Sequence, residues 1–229
     1  VLGLAAAVLL GGAPASWAAV PGESYVELYG GAAWTSDDTV EAEVETIFFP
    51  FGTSTRRGEK EVEFDPTWLV GARYTRFWGS VGVGADLWYY APETDGDVDV
   101  WMAPLSLLLY LRKGLWGTAE IPDRVEGYLG AGLSLVTYGI DGRFRDEAGG
   151  AQGDEFRVDE VDVDAGIDLR VGLRYRLTRD FHLFSEYRYL HADLSSEPDD
   201  EYWWSSTAEA AGFTLRSQFA VFGVGWAFP

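Results

Sequence analysis

The chain has 229 residues, no cysteine, a formal net charge of −20, 15% aromatic residues and 28 glycines. Without cysteine there is no disulfide framework and no thiolate metal site. So large an acidic excess excludes nucleic acid as a partner, because phosphates demand a basic face.

Residues 1–12 read VLGLAAAVLLGG and residues 13–19 read APASWAA, an apolar run followed by small residues. This is the layout of a secretory signal peptide, with Ser16 and Ala18 flanking Trp17 as the small residues of a cleavage site after Ala18. A run of about 12 apolar residues is too short for a membrane helix. The stretch has neither a starting Met nor a basic leader, so residues 1–19 read as a signal peptide truncated at its start. Residues 20–229 then form one domain.

Eight segments of alternating polarity follow, at residues 24–35, 64–78, 80–91, 98–112, 124–140, 161–177, 181–193 and 212–228. The sixth is the cleanest. Its odd positions are Val161, Val163, Ala165, Ile167, Leu169, Val171, Leu173, Tyr175 and Leu177, all apolar. Its even positions are Asp162, Asp164, Gly166, Asp168, Arg170, Gly172, Arg174 and Arg176. Side chains on a strand alternate faces, so this is a two-faced strand and not a helix. At about 3.3 Å per residue it outspans the roughly 30 Å hydrocarbon core of a bilayer even when tilted. Strands of soluble sandwiches are about 5–6 residues long. The expected fold is therefore all-β: an eight-stranded antiparallel up-and-down transmembrane β-barrel with lipid outside and a polar lumen inside. In the eighth segment the apolar phase slips around Ser217; a bulge there would explain the slip, but the sequence alone does not decide it.

Short and long connections alternate along the chain, as an up-and-down barrel requires when long loops lie outside and short turns lie in the periplasm. The long ones are residues 35–66, 91–100, 140–165 and 191–211. They hold 28 acidic and 6 basic residues, whereas the rest of the chain is nearly neutral. The acidity of the protein is thus expected at one end.

Three stretches carry a family resemblance. Residues 172–189, GLRYRLTRDFHLFSEYRY, form a strand, a tight turn and a strand. They resemble the penultimate hairpin of the OmpA-like and OmpX-like small outer-membrane barrels. Residues 25–31, YVELYGG, look like the first strand of that family, and residues 222–228, FGVGWAF, look like its C-terminal assembly signal. That signal normally ends on an aromatic residue, and here Pro229 follows. The resemblance implies a barrel in the cell outer membrane, inserted by the outer-membrane assembly machinery, with outer-membrane lipid and lipopolysaccharide around it.

Strand parity places Glu27, Arg73, Asp86, Arg112, Glu126, Asp168, Arg170, Arg174, Arg176, Glu186 and Arg188 in the lumen. Eight strands enclose a space that side chains just fill, so these charges are expected to pair as a salt-bridged plug. Asp95, Asp97 and Asp99, and the cluster Glu197, Asp199, Asp200 and Glu201, are hard oxygen ligands suited to divalent cations. They lack the glycine and distal Glu of an EF-hand loop, and a solvated acidic surface is the favoured reading. Tyr202, Trp203 and Trp204 in the fourth loop are candidate contacts for an extracellular ligand. Lipid A deacylases use a His and a Ser two residues apart. Here His182 and Ser185 are three apart, His191 and Ser195 four apart, and neither pair fits. His182 is expected to be exposed at the periplasmic turn. No cofactor is expected. The favoured function is a structural or surface-interaction protein with a largely closed lumen and acidic extracellular loops, and not an enzyme. A narrow cation-preferring channel is the alternative, and a lipid A-modifying enzyme the third reading.

Overall fold

The computed structural model describes residues 22–36, 38–48, 52–94, 98–121, 123–145, 155–195 and 207–229. The segment expected to be the signal peptide, residues 1–19, lies outside the described residues. Alternation becomes strand throughout: β1 (Gly22–Thr35), β2 (Asp38–Phe48), β3 (Gly52–Val62), β4 (Phe64–Asp65), β5 (Thr67–Trp78), β6 (Val81–Tyr90), β7 (Glu93–Thr94), β8 (Val98–Trp116), β9 (Val125–Arg145), β10 (Glu155–Arg176), β11 (Phe181–Ser195) and β12 (Thr207–Phe228). The order β1-β5-β6-β8-β9-β10-β11-β12 closes on itself through a β1–β12 pairing. Each pairing in this circuit is antiparallel. The expected eight-stranded closed barrel is therefore present, and closure leaves it no edge.

The first long connection departs from expectation. Much of it is not a loop but the hairpin β2–β3, which prolongs β1 and β5. Gly22 lies opposite Trp78, Ala33 opposite Thr67, Asp38 opposite Val62 and Phe48 opposite Gly52, so the same register runs through both pairings. β2 also pairs with the outer end of β12, from Gly212↔Glu41 to Thr207↔Thr46. The strands β9 and β10 likewise outrun the expected bounds, pairing up to Arg145↔Glu155. Sequence polarity underestimated these lengths because above the bilayer both faces of a strand can be polar.

The phase slip in the eighth segment involves no bulge between β12 and β11. β12 stays in one register with β11 from Trp226↔Phe181 to Gly212↔Ser195. The irregularity lies on its other neighbour: Thr35 faces Ser217 and Glu41 faces Gly212, so the β1–β2 path carries one residue more than β12 over that interval. A further register shift falls in β8 between Gly114 and Trp116. The tight β5–β6 turn needs Gly79, whose φ of 65° a side chain rarely adopts.

The two faces invert the pattern of a soluble protein. Large apolar side chains such as Leu107 (65% exposed), Leu129, Val171 and Phe222 cover the outside, whereas Arg73, Arg170, Arg174 and Arg188 are buried. Exposed aromatics lie at both ends of the apolar band. Tyr89 stacks on Trp101 near the outer end, and Phe181 packs edge-on against Trp226 near the inner end. Such girdles mark the two membrane interfaces.

Candidate functional site: the charged lumen

Every strand of the circuit except β12 sends a polar side chain into the lower lumen. Glu27 of β1 is the hub. Its Oε2 accepts from Arg73 Nε at 2.6 Å, and its Oε1 accepts from Arg174 Nη2 at 3.0 Å and from His182 Nε2 at 2.8 Å. Arg73 of β5 also donates through Nη1 to Glu186 Oε2 at 2.5 Å and to the Tyr110 hydroxyl at 3.2 Å, and through Nη2 to the Tyr128 hydroxyl at 3.3 Å. Glu186 in turn pairs with Arg188, and Arg174 with Glu126.

A second tier lies above this one. Asp86 of β6 accepts from Tyr29 and from Arg170, and lies 3.2 Å from Arg188 Nη1. Arg170 grips Asp168 with two parallel bonds, Nε to Oδ1 at 2.9 Å and Nη2 to Oδ2 at 2.5 Å. Ser106 Oγ donates to Asp168 Oδ2 at 2.7 Å and lies 2.6 Å from Ser134 Oγ. A third, partly accessible tier closes the periplasmic end. There Glu23 accepts from Arg112 Nη1 at 2.8 Å and pairs with Arg176 Nη1 at 2.8 Å, and Arg112 reaches Glu126 at 3.3 Å.

The eleven charges placed inside by parity all face the lumen. Nine are buried, and Arg112 and Arg176 are half-buried at the rim. Glu23 escaped sequence reading although it shares the parity of Glu27. With it the network holds six carboxylates and six guanidiniums. His182 is not an exposed turn residue but is buried against Glu27 and edge-on to Tyr25 at 5.2 Å, because the second residue of β11 already points inward. The hydroxyls of the four tyrosines Tyr25, Tyr29, Tyr110 and Tyr128 join the network and their rings carry guanidiniums, as with Arg174 4.1 Å from the centre of Tyr25.

Small residues make the room. A Cβ on Gly225 of β12 would meet His182 Nε2 at 2.5 Å and Glu27 Cγ at 2.6 Å, and one on Gly172 would strike the Tyr128 ring. Unpaired, each ion would cost several kcal/mol to hold out of water. Bidentate and charge-assisted bonds offset that only when nearly every site is filled.

Above the charges the lumen becomes apolar. Trp88, Tyr90, Met102, Val136, Leu190, Leu215 and Phe219 are buried there together with Val40, Val62 and Phe64 from the prolonged first hairpin. Trp88 and Phe219 pack edge to face at 4.7 Å, and Tyr90 packs the same way on Phe219 at 5.3 Å. Sequence reading expected a polar lumen throughout and missed this half.

The remaining sequence candidates are dispersed. Tyr202, Trp203 and Trp204, with Asp95, Asp97, Glu197, Asp199, Asp200 and Glu201, lie outside the described residues. Asp99 stands on the outer face of β8 opposite Asp141. On β11, His182 points inward and Ser185 outward. His191 and Ser195 share the outer face, and the Ser195 amide donates to Asp164 Oδ2 at 2.6 Å.

A closed eight-stranded barrel, apolar outside and ionic inside, with an aromatic girdle at each end, defines an outer-membrane β-barrel. The family model described as the outer membrane protein beta-barrel domain matches residues 3–228, and the chain belongs to that family in the bacterial outer membrane. Among solved structures, the outer membrane protein OprG from Pseudomonas aeruginosa is similar at 15% identity and a TM-score of 0.53, covering 89% of this chain and 95% of that one. Neisserial surface protein A is 16% identical, with a TM-score of 0.49 and coverage of 90% and 97%. Ail of Yersinia pestis, solved with a heparin analogue, is 13% identical, with a TM-score of 0.39 and coverage of 90% and 99%. No functionally curated protein matches the sequence.

Proposed function

We propose that the protein is a sealed outer-membrane barrel acting as a structural or surface-interaction protein, with its acidic extracellular part doing the recognising. The carrying observation is the lumen itself, where an ion-pair lattice links seven strands beneath an apolar core. Charges paired at 2.5–3.3 Å leave no file of water for an ion to follow. Loops on a rigid mount are the usual seat of recognition, and here the mount is unusually tall. In this reading a signal peptide is cleaved off after Ala18, the C-terminal strand is the signal read by the assembly machinery, and lipopolysaccharide surrounds the outer girdle. Any divalent cation or ligand is held by the acidic connections. Neither histidine is assigned a chemical step, so lipid A from cells making the protein should keep its mass.

Planar-bilayer conductance of the refolded protein tests the reading. Silence across the physiological voltage range is expected. Reproducible cation-selective openings would overturn it in favour of a narrow channel, because an acidic mouth concentrates cations.

A further inference from the structure

We infer that the outer faces of β11 and β12 carry a phosphate-binding site for the outer-leaflet glycolipid, centred on Arg216 and His191. The lipid-facing surface is apolar along β8, where it reads Ala103, Leu105, Leu107, Leu109 and Leu111, and along β10 from Val161 to Tyr175. On β11 and β12 it is not. Tyr187 donates its hydroxyl to Gln218 at 2.8 Å, and immediately above them His191 lies directly opposite Arg216, both outward.

Height fixes what these groups meet. From Trp226 in the inner girdle to Arg216 is ten residues, about 33 Å along the strand and roughly 25 Å along the membrane normal at the tilt of such barrels. That equals the height of the apolar band, so Arg216 stands at the headgroup level of the outer leaflet. Trp34, which faces Gln218 across the β1–β12 pair, marks the same interface.

The guanidinium of Arg216 is exposed and makes no ion pair among the described residues, although Asp193 stands two positions beyond His191 on the same face. Its backbone is held, since its carbonyl accepts the Ser36 amide at 3.0 Å. Two other outward cations in the extracellular half, among the residues whose side chains are described, differ. Arg57 is already paired with Glu43, and Arg143 stands beyond the interface, on β9 two residues past Asp141. A fork of N–H donors at headgroup height in an otherwise acidic half suits the phosphates of lipid A. The site is independent of whether the lumen is sealed.

Titration of the refolded full chain in detergent with lipid A and with its dephosphorylated form tests this. Phosphorylated lipid A should bind about tenfold more tightly. Arg216→Glu should erase that preference and Arg216→Lys should keep most of it, with gel heat-modifiability confirming that both variants fold. Arg216→Gln, which introduces no repulsion, serves if the glutamate variant misfolds, and should also lose the preference. Equal binding of the two lipids overturns the site, as does an undiminished preference in the variants. Competition by free inorganic phosphate at matching concentration overturns the lipid assignment. A change in oligomeric size with no change in lipid preference shows the patch to be a contact between copies.

Discussion

The two halves of the lumen are filled by opposite means. Below, between Glu23 and Arg188, closure is ionic. Above, around Trp88 and Phe219, it is apolar, like the core of a soluble domain. A charge lattice is specific and unforgiving, since removing one member strands its partners. An apolar core is tolerant, since neighbours can relax into a vacancy. The barrel thus has its rigid part at membrane depth and its adaptable part towards the outside.

Four substitutions sharpen this contrast. Arg73→Ala should have the largest effect, because it takes a buried cationic partner from Glu27 and Glu186 at once. About 3–5 kcal/mol of stability should be lost in denaturant unfolding of the refolded barrel. The variant should still be silent in planar bilayers, because the apolar half remains; openings there would mean that the charges alone made the seal. Leu215→Ala in the upper half should cost about 3 kcal/mol, and a loss below that of Arg73→Ala is what relaxation predicts. On the lipid face, Val171→Arg should hinder folding into bilayers by about 2 kcal/mol without altering the lumen, and unchanged insertion would refute the outward placement. His182→Leu should be the mildest, removing one of the donors to Glu27 at about 1.5 kcal/mol. A larger loss would promote His182 from accessory to hub.

What was legible in the sequence follows the same division. Parity is local, so Arg170 and Arg174 could be assigned inward from their own strand, and the closed circuit joined them to Asp86 and Glu27. The upper half defeated the reading because there polarity and parity part company. Phe213, Leu215, Phe219 and Val221 face in, while Arg216 and Gln218 face out, with no change in backbone register. A slip in hydrophobic phase there is no slip in the pairing of β12 with β11, which polarity alone does not reveal. Glu23 and His182 were missed for another reason: both lie at strand ends, where a turn and the first inward position look alike in sequence. The pairing of β2 with β3 was hidden because Thr, Glu and Lys on both faces resemble a loop when no bilayer sorts them.

The shared offset of the two paired stretches in the first hairpin has a mechanical consequence. Over Gly22–Ala33 and Asp38–Phe48, together 23 residues and about 76 Å of backbone path, the chain is paired with its return strand at one and the same offset. A tether or particle pulling on this hairpin from outside would load the bonds that join its two arms to β12 and to β6 in shear, many at once, and not peel them one by one. Force applied outside the cell would then reach the periplasmic rim as tension in a stiff rod. A barrel built this way can serve as an anchor point whose strength is set by the length of the ladder and not by any single contact.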